Sequence, residues 1–338
     1  MTSPVSIGDL SRATYLRQAN VLLRSRLTTL TQEATTGVKA DIPAALNGNM
    51  GHIAQIESRL TGLSAWRQNA VAASAEFAGL QDAMGAIQDI VAESGPALQS
   101  EAAVADPAML DLRSRQAAED LRSVVRFMNV DVGGRYLMSG TATQTMPVAD
   151  PDLILASVRS VIAGQPTTAD IVSAVDAWFD APPGGGGFAD AHFAGRQGGS
   201  TVMAVAADAT VANNVTALDP AFRDTMKGLV LATLAGDSAP DFTRQQKSDL
   251  IGAAGRRLSA GNHQLTALRA TVGLAQETIE QADTRNGAQQ TALSLARSAL
   301  LAADPYETAS ALTETESNLQ NLYALTARLS RLSLTDYL

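Results

Sequence analysis

The sequence predicts a mainly α protein: an elongated bundle of long helices, a terminal coiled coil formed by both chain ends, and a small inserted α+β domain. Three observations carry this. Apolar residues recur at alternating steps of three and four over long stretches toward both ends, which places them on one helical face. Four Asp-Pro pairs, beginning at Asp106, Asp150, Asp219 and Asp304, set a capping carboxylate before a proline suited to the first helical position. Between about Ser139 and Gly236 the composition shifts to Gly, Pro, Val and Thr, and the long periodicity stops.

The amino-terminal helix is read from Ala13, Leu16, Asn20, Leu23, Leu27, Leu30 and Ala34, and "TTGVKADIPAALNGN" breaks it. A second helix carries Ile53, Ile56, Leu60, Leu63, Arg67, Ala70, Ser74, Phe77, Leu80, Met84 and Ile87, and is expected to stop near "ESGPALQ". A third starts at Asp106-Pro107 with Leu110, Ala117, Leu121, Val124 and Met128, and ends before Gly133-Gly134. In the middle, "DLILASVRSVIAG" and "TADIVSAVDAWF" read as two short helices, "APPGGGGFADAHFAGRQGG" as loop, and "STVMAVAADATVANNV" as strands joined by a turn.

The longest stripe runs from Ile251 through Ala254, Leu258, Gly261, Leu265, Leu268, Val272, Ala275, Ile279 and Ala282 to Asn286, Gln289, Leu293, Ala296 and Leu300. About 60 helical residues span roughly 90 Å at 1.5 Å each, so the long helices must lie side by side. Asp304-Pro305, with Glu307 three residues on, starts a new final helix whose stripe is Leu312, Thr315, Leu319, Leu322, Thr326 and Leu329. The two helical halves are far apart in sequence and must pack together to bury these stripes. The expected domains are 1–40 with 304–338 as the coiled coil, 41–138 with 237–303 as the helical rod, and 139–236 as the insert.

The 338-residue length allows two or three domains, and the net charge of −9 argues against nucleic-acid binding. The chain has no cysteine, which removes disulfides, thiol catalysis and thiolate metal sites. No cleavable signal peptide or membrane span is visible. His52, His192 and His263 are isolated and read as packing or solvated residues, not as metal ligands. "GGGG" lacks the Lys-Ser/Thr of a phosphate loop and reads as a flexible connection. Asp89 and Glu93 are one helical turn apart, as on a solvated helix face. No catalytic constellation and no cofactor site emerges. Asn20, Asn286 and Gln289 are polar residues in apolar seams, where an amide either fixes register or simply faces water.

Several segments resemble the flagellin superfamily, and within it the bacterial hook–filament junction proteins of the hook-associated protein 3 type. These are "GRYLMSGTATQTMPV" at Gly134–Val148, "LRATVGLAQETIEQAD" at Leu268–Asp283, "LTARLSRLSLTDYL" at Leu325–Leu338 and "LTQEATTGVKADIPAAL" at Leu30–Leu46. Where the family has Asp-Asp-Pro after that last turn, this chain has "ADIPAALNGN". The resemblance covers about the first 140 and last 100 residues.

The resemblance implies a structural subunit between the hook-side junction protein and flagellin, exported to the extracellular flagellum through the flagellar type III channel with an export chaperone, and assembled with copies of itself. The rival readings are flagellin itself, a soluble coiled-coil adaptor, and an enzyme sited in the middle domain. The resemblance places the assembly interface on Leu16, Asn20, Leu23, Leu27 and Leu30 of the first helix. On the last helix it takes in Leu312, Leu319, Leu322, Leu329, Leu332, Leu334 and Tyr337. Residues 1–40 carry a balance of +3 and residues 305–338 one of −2, so an antiparallel pairing is expected to bring Arg24 and Arg26 near Glu314 and Glu316.

Overall fold

A computed structural model describes the backbone of residues 7–238 and 241–335 and the side chains of residues 11–238 and 241–328. In chain order the elements are α1 (Ile7–Thr36), α2 (Ile42–Ala45), α3 (Gly51–Val104), α4 (Pro107–Met128), β1 (Asp131–Val132), β2 (Arg135–Tyr136), α5 (Pro151–Ile162), α6 (Thr168–Asp180), α7 (Phe188–Ala191), β3 (Thr201–Ala204), β4 (Thr210–Asn213), α8 (Pro220–Leu234), α9 (Arg244–Leu301) and α10 (Pro305–Thr335). The protein is mainly α, as the periodicity predicts. It divides into two compact units, one of residues up to Ser64 with those from Ala288 onward, the other Ala65–Gly287.

The predicted starts hold for local reasons. Asp106, Asp150 and Asp304 each accept backbone N–H groups of the following turn, from Met109, from Asp152, and from Tyr306 and Glu307. These carboxylates satisfy donors that a helix start leaves free. Asp219 instead turns back to Thr216 N at 2.7 Å and braces the loop before α8.

In the second unit α9 lies along α3, tied by side-chain amides. Gln81 Nε2 donates to the Arg269 carbonyl at 2.7 Å, and Gln99 Nε2 to the Gly255 carbonyl at 3.0 Å. The predicted stripes of α4 and α9 face a shared core, with Leu110, Leu121, Val124, Met128, Ile251, Leu258 and Leu265 fully buried. Helix α8 packs against α4 and closes on α9 through glycine. A Cβ on Gly228 would lie 2.8 Å from Leu258, and one on Gly261 would lie 2.8 Å from Thr225 Oγ1. The segment 139–236, expected as an insert, therefore takes in a helix that builds the same core as α4 and α9.

Two expectations are corrected here. Helix α3 does not stop near "ESGPALQ" but runs through Pro96 to Val104. A proline inside a helix removes one hydrogen bond and crowds the carbonyl four residues back. Here Pro96 and Ala92 are both exposed, so the freed carbonyl meets water, while Gly95 lies against Leu258 and Ser259 and Gln99 ties the next turn to α9. The "GGGG" stretch is not a loose tether either. Gly184 N and Gly186 N donate to the Asp190 carboxylate at 2.8 and 2.7 Å, and these two donors hold its acidity stronger than usual. At the end of the stretch Gly187 lies against the Trp178 carbonyl, beside Trp178, Phe179 and Phe188, whose rings pack together.

Both strand pairs are antiparallel hairpins. Gly133 and Gly134, at φ of +60° and +78°, make the β1–β2 turn, a backbone that other residues adopt at a cost. The β3–β4 hairpin is fastened by two amides: Asn69 Nδ2 donates to the Ala204 carbonyl and Asn286 Nδ2 to the Val205 carbonyl. Asn286 is therefore a buried anchor, whereas Gln289 faces solvent.

Candidate assembly interface

In the first unit α1 and α10 pack on one another. The pairing begins where both helices break. Gly37, at φ +68°, ends α1 with its N–H on the Glu33 carbonyl, the left-handed cap that glycine adopts most easily. Opposite, α9 ends at Leu301 and Asp304 restarts the chain as α10. The two breaks are joined: Lys39 N donates to the Leu301 carbonyl and Ala303 N to the Gly37 carbonyl, both at 2.9 Å, across a Val38–Ala302 bridge. Glu33 accepts Ala40 N at 2.8 Å and seals the turn. Two N–H donors hold the Asp304 carboxyl below its usual range, that of Glu307 first and then that of Tyr306.

From this joint the helices run antiparallel. Leu16, Asn20, Leu23, Leu27 and Leu30 are each half-buried, Leu319 is buried, and Leu312 and Leu322 are half-buried. Leu329, Leu332, Leu334 and Tyr337 lie outside the residues whose side chains are described. Thr308 and Thr315 are buried in the same seam. Thr315 Oγ1 donates to the Ala311 carbonyl one turn back on its own helix, so a hydroxyl can sit there without a partner on α1.

Arg24 meets a different partner from the one expected. Its Nε and Nη2 donate to the Tyr323 hydroxyl at 3.2 and 3.0 Å, and Asn20 also bonds that hydroxyl. Arg26, Glu314 and Glu316 are exposed, and among the described residues no ion pair joins either arginine to either glutamate. Side-chain direction explains this. With Gly37 beside Ala303, an even helical rise puts Arg24 level with Glu316 and Arg26 level with Glu314, thirteen and eleven residues from the joint on each helix. Helical side chains lean toward their own N-terminus, so Arg24 reaches away from the joint while Tyr323, seven residues further along α10, leans back to meet it. Charge balance carries no sign of Tyr323, because the partner that Arg24 reaches depends on that lean.

The pairing uses only part of each helix surface. Tyr15, Val21 and Leu22 of α1 are each about 70% exposed, and Leu325 of α10 is half exposed. A lone apolar side chain at a surface is ordinary, but these accompany a seam whose described leucines, Leu319 apart, are only half-buried. The arrangement can take up more apolar surface.

Elsewhere the chemistry is sparse. His192 Nε2 lies 2.7 Å from Ser157 Oγ, with the imidazole against the Trp178 ring and its basicity lowered by burial. Among the described residues no carboxylate bonds that ring, and no group of three or more His, Asp or Glu could hold a metal. A cleft of about 800 Å³ between α3, α6 and α9 is walled half by Ala, Ser and Gly, with Asp176 ion-paired to Arg257 and with Asp249 and Arg256 also on its wall. Among the described residues no helix is long and apolar enough to cross a membrane.

Among curated proteins none matches the chain. Among solved structures it is similar to FlgL of Bacillus cereus, with a TM-score of 0.48 and 12% identity over 71% of this chain and 96% of that one. It is also similar to a putative flagellar hook-associated protein of Vibrio parahaemolyticus, with a TM-score of 0.39 and 13% identity over 80% and 94%. Residues 256–338 match the family model of the bacterial flagellin C-terminal helical region. That match spans most of α9, the joint at 302–304 and all of α10, and so takes in the carboxyl-terminal half of the interface.

Proposed function

We propose that this protein is a structural subunit of the bacterial flagellum, joining the hook-side junction protein to the flagellin filament. The observation that carries the reading is the pairing of α1 with α10 through half-covered leucines, on a carboxyl-terminal segment that matches the flagellin family. A monomer that leaves Tyr15, Val21, Leu22 and Leu325 in water gains by burying them against neighbouring subunits. Each large apolar side chain taken fully out of water contributes about 1.5–3 kcal/mol.

On this reading the partners are the hook-side junction protein, flagellin, copies of the same chain and an export chaperone. The protein works outside the cell. It acts through its surfaces and is not an enzyme. Deletion of the gene followed by electron microscopy tests the proposal. The expected result is cells bearing hooks without filaments, with flagellin shed into the medium. Bare hooks with no flagellin in the medium would make the chain a flagellin, and filaments that stay attached would overturn both.

A further inference from the structure

From Gln68 to Val104, helix α3 has five acids and no lysine or arginine. Two of the five meet an arginine of the same unit: Glu76 pairs with Arg135, and Glu101 with Arg113. The other three, Asp82, Asp89 and Glu93, are exposed, and among the described residues no cation pairs with them. Helix α4 presents the complement. Arg115, Arg122 and Arg126 are exposed on its outer face; Arg122 also holds Glu119 and Asp152, while Arg126 lies over the Phe127 ring. Both rows have the spacing i, i+7, i+11 and so cover the same length, about 16 Å at 1.5 Å per residue. Within one chain no ion pair joins them.

We propose that the acidic row of α3 docks on the basic row of α4 in the next copy of this chain. Two different, mutually complementary patches on one molecule make a head-to-tail contact, which closes a ring or builds a helical tube instead of a two-fold dimer. This deepens the junction reading and rests on it. Ser94 bonds Asp120 and Glu101 pairs with Arg113, so α3 and α4 are antiparallel within a chain. They are then antiparallel between like-oriented copies, which sets Glu93 by Arg115 and Asp82 by Arg126; Asp89 falls level with Glu119, three residues from Arg122, whose side chain leans back toward it and already holds Glu119. The charges fix partner and register, while apolar contacts supply most of the adhesion.

Charge exchange tests this in a strain whose own gene is deleted. The triple variant D82R/D89R/E93R and the triple variant R115E/R122E/R126E should each lower filaments per cell about tenfold, because like charges then face one another. The six-fold variant that combines them should restore filaments. Circular dichroism of each purified chain checks that it is helical. Wild-type filament numbers with either triple variant, or a folded six-fold variant that restores nothing, would overturn the contact while leaving the junction reading intact.

The second arm needs no flagella and covers a six-fold variant that does not fold. The chain has no cysteine of its own, so purified D82C and R126C chains can be mixed and oxidised. The disulfide-linked dimer of the two different chains should form faster in the mixture than a dimer of either chain alone, and its rate of formation should fall in high salt. A mixed dimer that forms no faster at low salt than the dimers of like chains would overturn the proposal.

Discussion

The unit of residues 65–287 and the unit holding both chain ends use the same 3-4 periodicity with opposite results. In the first, Leu80, Ile87, Leu121, Leu258 and Leu265 are fully enclosed, and glycines let α8 close on α9. In the second, the equivalent leucines Leu16, Leu23, Leu27 and Leu322 are half-covered, and threonine and asparagine share the seam. The first region has its partners within the chain. The second has one partner within the chain and room for more. Helical periodicity identifies a face that must be covered, and how fully it is covered says whether the fold supplies the cover.

The largest test of this contrast is Leu258→Ala. The side chain sits between α3, α8 and α9, touching the positions of Gly95 and Gly228. Its truncation should cost about 3 kcal/mol of stability, as for enclosed leucines generally. Chemical denaturation of the purified chain should show a single shifted transition for the bundle, with α1–α10 pairing unaffected.

Leu319→Ala should cost less, about 1.5 kcal/mol, because the seam around it is partly open to water already. The effect should fall on the other unit: faster amide exchange in α1 and α10, with the bundle transition unmoved. An equal shift of both would mean the two regions unfold as one, and the contrast would fail.

How much of this was legible in sequence follows the same division. The faces of α4 and α9 were readable because an enclosed stripe tolerates few polar residues, and Leu110 to Met128 and Ile251 to Ala282 obey that. The Asp-Pro starts were readable because capping is local chemistry. What escaped depends on distant partners. Pro96 reads as a stop unless α9 is there to hold the next turn, and Asp190 gathers the glycine loop from several residues downstream. The expected pairing of Arg24 and Arg26 with Glu314 and Glu316 uses charge and levels along the helices, and the Gly37–Ala303 and Lys39–Leu301 hydrogen bonds do put those residues level. Charge does not say which way a side chain leans, and the lean takes Arg24 past Glu316 to Tyr323.

That joint yields the next smaller effect. Gly37→Ala keeps a side chain that meets nothing within 4 Å, so its whole cost comes from φ +68°, about 1 kcal/mol for an L-residue in this region. The loss should appear as faster exchange at Lys39 and Ala303, whose N–H groups cross the joint. An unchanged exchange rate at both would mean the backbone bridge does not hold the pair.

The smallest effect concerns Tyr323. Arg24 first, and Asn20 after it, lower the pKa of its phenol from the ordinary value of about 10, because donors aimed at the oxygen favour the phenolate. The tyrosine of the paired state therefore ionises before that of the separated helices. The group adds stability once pH rises through its depressed value, and the gain is complete above the ordinary one. Near neutral pH, with the phenol protonated in both states, it contributes no pH dependence. Mild alkali should therefore tighten α1 against α10, slowing exchange in both helices after correction for the intrinsic rate. Arg24→Gln should return the Tyr323 titration, followed by its ring carbon resonance, toward the ordinary midpoint and remove the alkaline gain. Asn20→Ala should move it less. If Tyr323 titrated normally in the intact chain, the hydroxyl would not be held by Arg24, and the reach of Arg24 past Glu316 would have to be abandoned.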